Sequence, residues 1–299
     1  MRRRSKAAGC FLLVGVTAGA QQANVPKWPH VRVNVSIVDR SGAPAVGVNA
    51  DALEIRDGKS VVQDAVLHPV GDEPESVCLL VDTSGSTYEA RNAVHAEVGK
   101  LIDKLPGTDE MCLVDFSSSA YVDAPLTTDR ALVRKGVSYL RSSGGSVLLD
   151  AVESTARYMQ KNAHFERRVI VLVSDGGENA SKMSEDEVWR ELHRPEAPVV
   201  YSIQNPSAAS SGSTAGWKLL LNLSERTGGL AFPVNTENEA LQATDYLIEA
   251  IQGRYELEFT SGNPAADGSV RKLRVELTND LRKQKFKVVG ADGYVAERQ

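Results

Sequence analysis

Asp82, Ser84 and Ser86 stand at alternate positions in Asp82-Thr83-Ser84-Gly85-Ser86, directly after the apolar run Cys78 to Val81. Alternate side chains of a tight loop can all be aimed at one point. One carboxylate and two hydroxyls are hard oxygen donors, suited to Mg2+, Mn2+ or Ca2+ and poorly suited to soft metals. Two further segments offer matching oxygens. Ser146 follows Gly144-Gly145, where the backbone can bend sharply, and opens a helical stretch. Asp175 ends the most apolar run of the chain, Val169 to Ser174, with Gly176-Gly177-Glu178-Asn179 behind it.

The elements that must hold these loops alternate in type. Apolar runs at 77–81, 111–116, 169–174 and 198–203 read as strands covered on both faces. A further strand is read at 120–126, and a short one at 230–234. Helical spacing marks 88–105, 132–140, 147–162, 185–193, 217–226 and 237–251, and 208–214 reads as a Ser/Gly loop. Strands alternating with helices predict a doubly wound α/β fold with a mostly parallel sheet. In such a sheet the strand C-termini are where ligands bind, and Asp82 and Asp175 both stand there.

The flanks differ in texture. Val31, Val33, Val35 and Ile37 alternate with polar residues, as do Tyr255, Leu257 and Phe259, and Leu273, Val275 and Leu277. This is the period of half-buried strands. Each flank is too short to bury two sheet faces alone, so the two are expected to pack together around an inserted α/β domain. The division is residues 1–20, 21–75, 76–252 and 253–299. About six flank strands are legible. Arg282-Lys283-x-Lys285-x-Lys287 reads as the solvent face of an edge strand.

The first twenty residues read as an address. Arg2, Arg3, Arg4 and Lys6 precede the apolar stretch Ala7 to Ala20, which closes on Ala18-Gly19-Ala20. This is the pattern of a secretory signal peptide and predicts export to the periplasm or beyond. The chain carries 34 Lys+Arg against 39 Asp+Glu, a formal charge of −5. Removing the four leader cations from the 34 leaves 30 against 39, so the mature balance is −9. With no basic block, a nucleic-acid partner is not expected, and no apolar run is long enough for an integral span in the mature chain. Of three cysteines, Cys78 and Cys112 outlast the leader. Both lie in strand-like runs and read as buried thiols ahead of a disulfide.

The three oxygen-bearing segments, in this order, resemble the von Willebrand factor type A domain and its metal-ion-dependent adhesion site. The likeness runs from Val77 to Ile251, and the flanking elements resemble exported von Willebrand A-related proteins common in Acidobacteria. The resemblance implies a divalent cation, Mg2+ first and Mn2+ or Ca2+ next. Asp82, Ser84 and Ser86 would supply the first loop, Ser146 the second and Asp175 the third. One departure is Ser146, where the family usually has Thr; the hydroxyl survives. Asp150 reads as an indirect or helix-capping acid, Glu178 and Asp115 as rim charges, and Thr83 and Gly85 as backbone geometry. The implied function is metal-dependent binding of a partner protein that offers Glu or Asp to the cation, without catalysis.

Two other readings stand beside it. Asp82-x-x-Gly85-x-Thr87 with the later Ser174-Asp175-Gly176 resembles haloacid-dehalogenase-type phosphatases, with Asp82 as nucleophile and Asp175 on magnesium. Those enzymes carry a second Asp where this chain has Ser84. The other is a structural envelope subunit with a vestigial metal site.

Overall fold

A computed structural model describes residues 27–141, 143–205 and 214–297. The expected leader and most of the expected Ser/Gly loop lie outside the described residues.

The chain opens in β-structure: β1 (His30–Val38), β2 (Leu53–Asp57), β3 (Ser60–Val61) and β4 (Val66–Pro69). The α/β portion follows with β5 (Ser76–Asp82), α1 (Arg91–Lys104), β6 (Glu110–Phe116), β7 (Ala120–Thr127), α2 (Arg130–Val137) and α3 (Leu148–Asn162). It continues through β8 (Arg168–Ser174), α4 (Glu185–Leu192), β9 (Val199–Gln204), α5 (Thr214–Glu225), β10 (Ala231–Phe232) and α6 (Glu237–Gln252). The chain closes with β11 (Tyr255–Thr260), β12 (Val270–Leu277), α7 (Asn279–Lys283), β13 (Lys287–Gly290) and β14 (Gly293–Val295).

The central sheet has the order β10-β9-β8-β5-β6-β7. Every pair in it is parallel except β6 with β7, so the fold is the expected mostly parallel α/β type. All seven residues of β5 and of β8 are buried. Their alternate side chains feed two cores. Val77, Leu79, Val81, Val169, Val171 and Val173 pack with α1 and α6 on one face. Cys78, Leu80, Ile170 and Leu172 pack with α3, α4 and α5 on the other. Two covered faces explain why these strands are unbroken apolar runs rather than alternating ones.

Strands from both chain ends share two antiparallel four-stranded sheets, β13-β1-β11-β4 and β14-β12-β2-β3. Val33, Val35 and Ile37 of β1, Leu257 and Phe259 of β11, Ile55 of β2 and Leu273 of β12 meet in one core between them. Eight strands stand where six were counted. The two extra are short, and β3 and β14 have too few residues to show a period. The basic run is also corrected: Arg282 and Lys283 end helix α7, Lys285 adopts a positive φ of 69°, and only Lys287 enters edge strand β13.

A buried ion pair joins the two parts. Arg254, 1% exposed, donates from Nη2 to Glu75 Oε1 (2.6 Å) and from Nη1 to Glu75 Oε2 (3.2 Å). It also donates to the Ile251 carbonyl (2.6 Å) and to Asn34 Oδ1 (3.2 Å). Glu75 leads into β5 and Arg254 leads out of α6, so one guanidinium clamps the entry and exit of the α/β portion. Cys78 and Cys112 are partners in the β5–β6 ladder, and a disulfide joins them. The reading of two separate thiols is therefore replaced by a crosslink between neighbouring parallel strands.

Candidate functional site

The parallel neighbours of β5 are β6 and β8. Helix α1, between β5 and β6, covers one face, and α3, before β8, covers the other. The C-terminus of β5 is thus a point where connections depart to opposite faces, which leaves a crevice there. Asp82 is the last residue of β5 and Asp175 follows the last residue of β8.

Three loops are laced together at this edge. Thr83 N–H extends the ladder to the Phe116 carbonyl (2.8 Å). Ser143 N–H donates to the Thr83 carbonyl (2.8 Å), and Gly85 N–H to the Gly144 carbonyl (3.1 Å). Gly144 has φ +78°, and a Cβ there would lie 2.4 Å from Ser118 Oγ. The positive φ favours glycine there. Ser146 joins the third loop: its Oγ donates to the Gly177 carbonyl (2.6 Å), and its N–H to Asn179 Oδ1 (3.1 Å). Gly176 has φ +77° and lies against Gly216 at the start of α5.

Within this frame the oxygens gather. Asp82 Oδ1 accepts from Ser84 N–H (2.9 Å) and Oδ2 from Ser174 Oγ (2.6 Å). The Ser84 and Ser86 hydroxyls are 3.1 Å apart. Asp175 Oδ1 accepts from Gly177 N–H (2.7 Å). Asp82, Ser84, Ser146 and Asp175 are buried; Ser86 is exposed. The first loop therefore holds Asp82, Ser84 and Ser86 together, the charge of Asp175 acts on Asp82, and Ser146 is tied to the Asp175 loop through the Gly177 carbonyl.

Burial, and after it the negative charge of Asp175, lifts the Asp82 carboxyl to about 6, against the hydrogen bonds from Ser174 and Ser84 that pull it down. Two neighbouring carboxylates at low exposure are costly without a compensating cation. The donor set is all oxygen, two carboxylates and three hydroxyls, which fits a hard divalent ion and no soft one. Among the described residues no cluster of three or more His, Cys, Asp or Glu is placed to hold a metal; the arrangement here relies on hydroxyls.

Several neighbours have roles the sequence reading did not assign. Ser174 was read only as a strand end, yet its Oγ bridges Asp82 Oδ2 and Gly176 N–H (2.9 Å). A lone hydroxyl closing an otherwise apolar run was the available signal. Glu178 is not a rim charge. It caps α3 through Leu149 N–H (2.9 Å) and holds Ser181 by N–H (2.9 Å) and Oγ (2.7 Å). Asp150 accepts from Lys182 N–H (3.0 Å) and Met183 N–H (2.8 Å), pinning the chain that leads into α4. Asp115 accepts from Thr83 Oγ1 (2.9 Å), so neither is a bystander. Burial first, then the charge of Asp115, lifts Asp123 on β7 to about 7.

Residues 77–178 match the family model of the von Willebrand factor type A domain. Among solved structures, the chain is similar to proximal thread matrix protein 1 of the mussel byssus, at 14% identity and TM-score 0.50, over 64% of this chain and 49% of that one. It is similar to a von Willebrand factor type A protein from Catenulispora acidiphila at 11% identity and TM-score 0.49, over 93% and 74%. An aerotolerance-related membrane protein from Bacteroides fragilis aligns at 16% identity and TM-score 0.46, over 58% and 98%. At these identities the likeness is one of fold. No curated protein matches the chain.

Proposed function

We propose that this protein is an exported binding module whose α/β domain, residues 76–252, captures a partner protein through a divalent cation at the C-terminal edge of its central sheet. What supports the reading is that Asp82, held by the Ser84 amide beside the Ser84–Ser86 hydroxyl pair, and Asp175 stand at the ends of adjacent parallel strands, with Ser146 tied to the Asp175 loop through the Gly177 carbonyl. These five residues would hold the ion, Mg2+ first. Once bound, the ion would supply an electrophilic point for a Glu or Asp side chain of the partner. The chain's own contribution is positioning. Ser174 and the Ser84 amide fix the Asp82 carboxylate, Gly177 N–H fixes Asp175, and the glycine turns bring the loops together.

Export is supported by the basic and apolar leader pattern and by the Cys78–Cys112 disulfide, since disulfides persist in oxidising compartments. No helix among the described residues is long and apolar enough to cross a membrane. A nucleophilic Asp82 is disfavoured by its neighbour: Ser84 stands where those phosphatases carry the second Asp that acts as general acid.

The test is calorimetric titration of the purified protein with Mg2+, Mn2+ and Ca2+, followed by partner capture from envelope extract in Mg2+ against EDTA. Saturable binding lost in Asp82→Ala, with capture lost in EDTA, is expected. Binding by none of the three ions would point to a structural subunit instead, and capture that survives both EDTA and Asp82→Ala would end the metal mechanism.

A further inference from the structure

The chain has eight tyrosines. Four are exposed: Tyr88 (62%), Tyr121 (62%), Tyr139 (52%) and Tyr246. The first three stand at the C-terminal edge of the central sheet, around the Asp82 crevice. Tyr88 comes directly after the first loop, two residues beyond Ser86. Tyr121 lies opposite Asp115 in the β6–β7 ladder, where cross-strand side chains are about 5 Å apart. Asp115 in turn accepts from Thr83 Oγ1 (2.9 Å), so one side chain links this ring to the first loop. Tyr139 precedes Leu140, which lines a small depression with Asp82, Thr83 and Arg91. The depression measures about 10 Å³, room for a single water, so a partner meets its rim and not its interior. One exposed ring is ordinary on a protein surface. Three around one crevice, each a large amphipathic group, have the composition of a contact surface.

Arg91 adds charge to this rim. It is exposed, and its guanidinium carbon lies 5.5 Å from the centroid of the Tyr88 ring, within cation–π reach. Among the described residues no acidic side chain pairs with it. Arg32, Arg167 and Arg254, by contrast, are each held by a carboxylate. Its position does nothing for the helix either. Arg91 opens α1, whose first turn holds no acidic residue, and a cation at the positive end of a helix dipole is unfavourable. The chain as a whole is acidic, at −5, and repels an acidic partner at long range. Attraction for one must therefore be local, and Arg91 supplies it beside the crevice.

Resting on the cation reading, we propose that the partner segment is both acidic and aromatic. Beside the carboxylate taken by the cation it carries a second carboxylate, which pairs with Arg91, and an aromatic side chain, which packs on Tyr88, Tyr121 and Tyr139. The guanidinium offers forked N–H donors that match a carboxylate, and the tyrosine rings offer offset or edge contacts to a partner ring. A cation alone would accept any exposed Asp or Glu; the rim chooses among them.

The test is selection of a random dodecapeptide phage library on the immobilised full chain in Mg2+, with elution by EDTA and then by acid. The enriched peptides are synthesised and titrated calorimetrically. EDTA-eluted sequences enriched in Asp or Glu together with Phe, Tyr or Trp are expected. They should bind at least tenfold more weakly to Arg91→Ala and to Tyr121→Ser, about 1.4 kcal/mol each. The Mg2+ affinity of these two variants should not fall, because neither side chain belongs to the donor set. Tyr246→Ser, in α6, should bind peptide like the wild type, and thermal unfolding checks that all three variants are folded. No enrichment in either eluate would overturn the inference. So would acidic peptides without aromatic residues, or binding that the folded Arg91→Ala and Tyr121→Ser variants retain in full. Failure of the cation reading has a different signature: acidic, aromatic peptides that resist EDTA yet lose affinity in both variants would leave the rim standing and end the metal site.

Discussion

Gly176 offers the sharpest test of how backbone geometry sets the candidate site, because changing it removes no donor. With φ at +77°, an alanine there costs about 1–2 kcal/mol in backbone conformation alone. Its Cβ would also lie 2.3 Å from the Gly216 carbonyl oxygen, 2.5 Å from the carbonyl carbon and 2.7 Å from Cα. Those atoms are backbone at the first turn of α5, so relief requires the helix or the Asp175 loop to retreat by about 1 Å, an overpacking cost of about 1–3 kcal/mol. Gly176→Ala is therefore expected to lose about 2–5 kcal/mol, a fall in Tm of roughly 5–15 °C for a chain of this size. Divalent-ion affinity should fall at least tenfold, because Asp175 is the adjacent residue. Gly85→Ala is the control. Its Cβ would meet only the Gly144 carbonyl oxygen at 3.4 Å, an ordinary contact, without a positive φ, and it should change stability by less than about 0.5 kcal/mol. Urea unfolding gives the stabilities and calorimetry the ion affinity. If Gly176→Ala unfolds like the wild type, or Gly85→Ala is equally damaging, the close-approach argument fails.

Glu75→Leu leaves the Arg254 guanidinium buried without its carboxylate and should cost about 3–5 kcal/mol, whereas Glu75→Leu with Arg254→Met should recover most of it; a double-mutant cycle by urea unfolding checks this, and additive losses would refute it. Asp123 has its folded-state pKa raised to about 7 by burial and Asp115, so its contribution is fully present below its unfolded value near 4 and is lost as pH rises through 7. Asp123→Asn should raise Tm at pH 8, leave it nearly unchanged at pH 4, and flatten the decline between, as read from thermal unfolding across that range. Glu97 in α1 is fully buried with both carboxylate oxygens unpartnered, and burial pushes its pKa well above the ordinary range; Glu97→Leu should gain about 1–3 kcal/mol at pH 7, and a loss in urea unfolding would show that the carboxyl is needed. Saturating Mg2+ at about 100 times its dissociation constant should stabilise the protein by about 2.7 kcal/mol, an effect absent in Asp175→Asn by thermal unfolding.

The sheet was legible because its strands are covered on both faces. Cys78–Val81 and Val169–Val173 could be written as unbroken apolar runs only if helices lay on each side, and they do. Val31, Val33, Val35 and Ile37 showed their period because one face of β1 meets a single core. β3 and β14 were illegible because two or three residues carry no periodicity. At the candidate site, Asp82, Ser84 and Ser86 were visible as a local spacing. Ser174 was not, because its role depends on a contact 92 residues away in the chain. Glu178 misled for the same reason: a carboxylate after a strand resembles a surface charge until α3 brings an uncapped Leu149 N–H to it. The disulfide turned on register, since Cys78 and Cys112 meet only if β5 and β6 pair residue for residue.

The Glu75–Arg254 clamp acquires another meaning once the molecule is pulled. The α/β portion is entered and left at one place, held by this ion pair, while Asp82 stands at the far end of the same strand that Glu75 introduces. Tension from a captured partner would therefore run lengthwise through β5, seven residues or roughly 20 Å. That strand is flanked on both sides by parallel neighbours and tied to one of them by Cys78–Cys112. A load in this direction shears all its ladder hydrogen bonds at once instead of peeling them singly, so the anchorage would resist force better than the modest size of the domain implies.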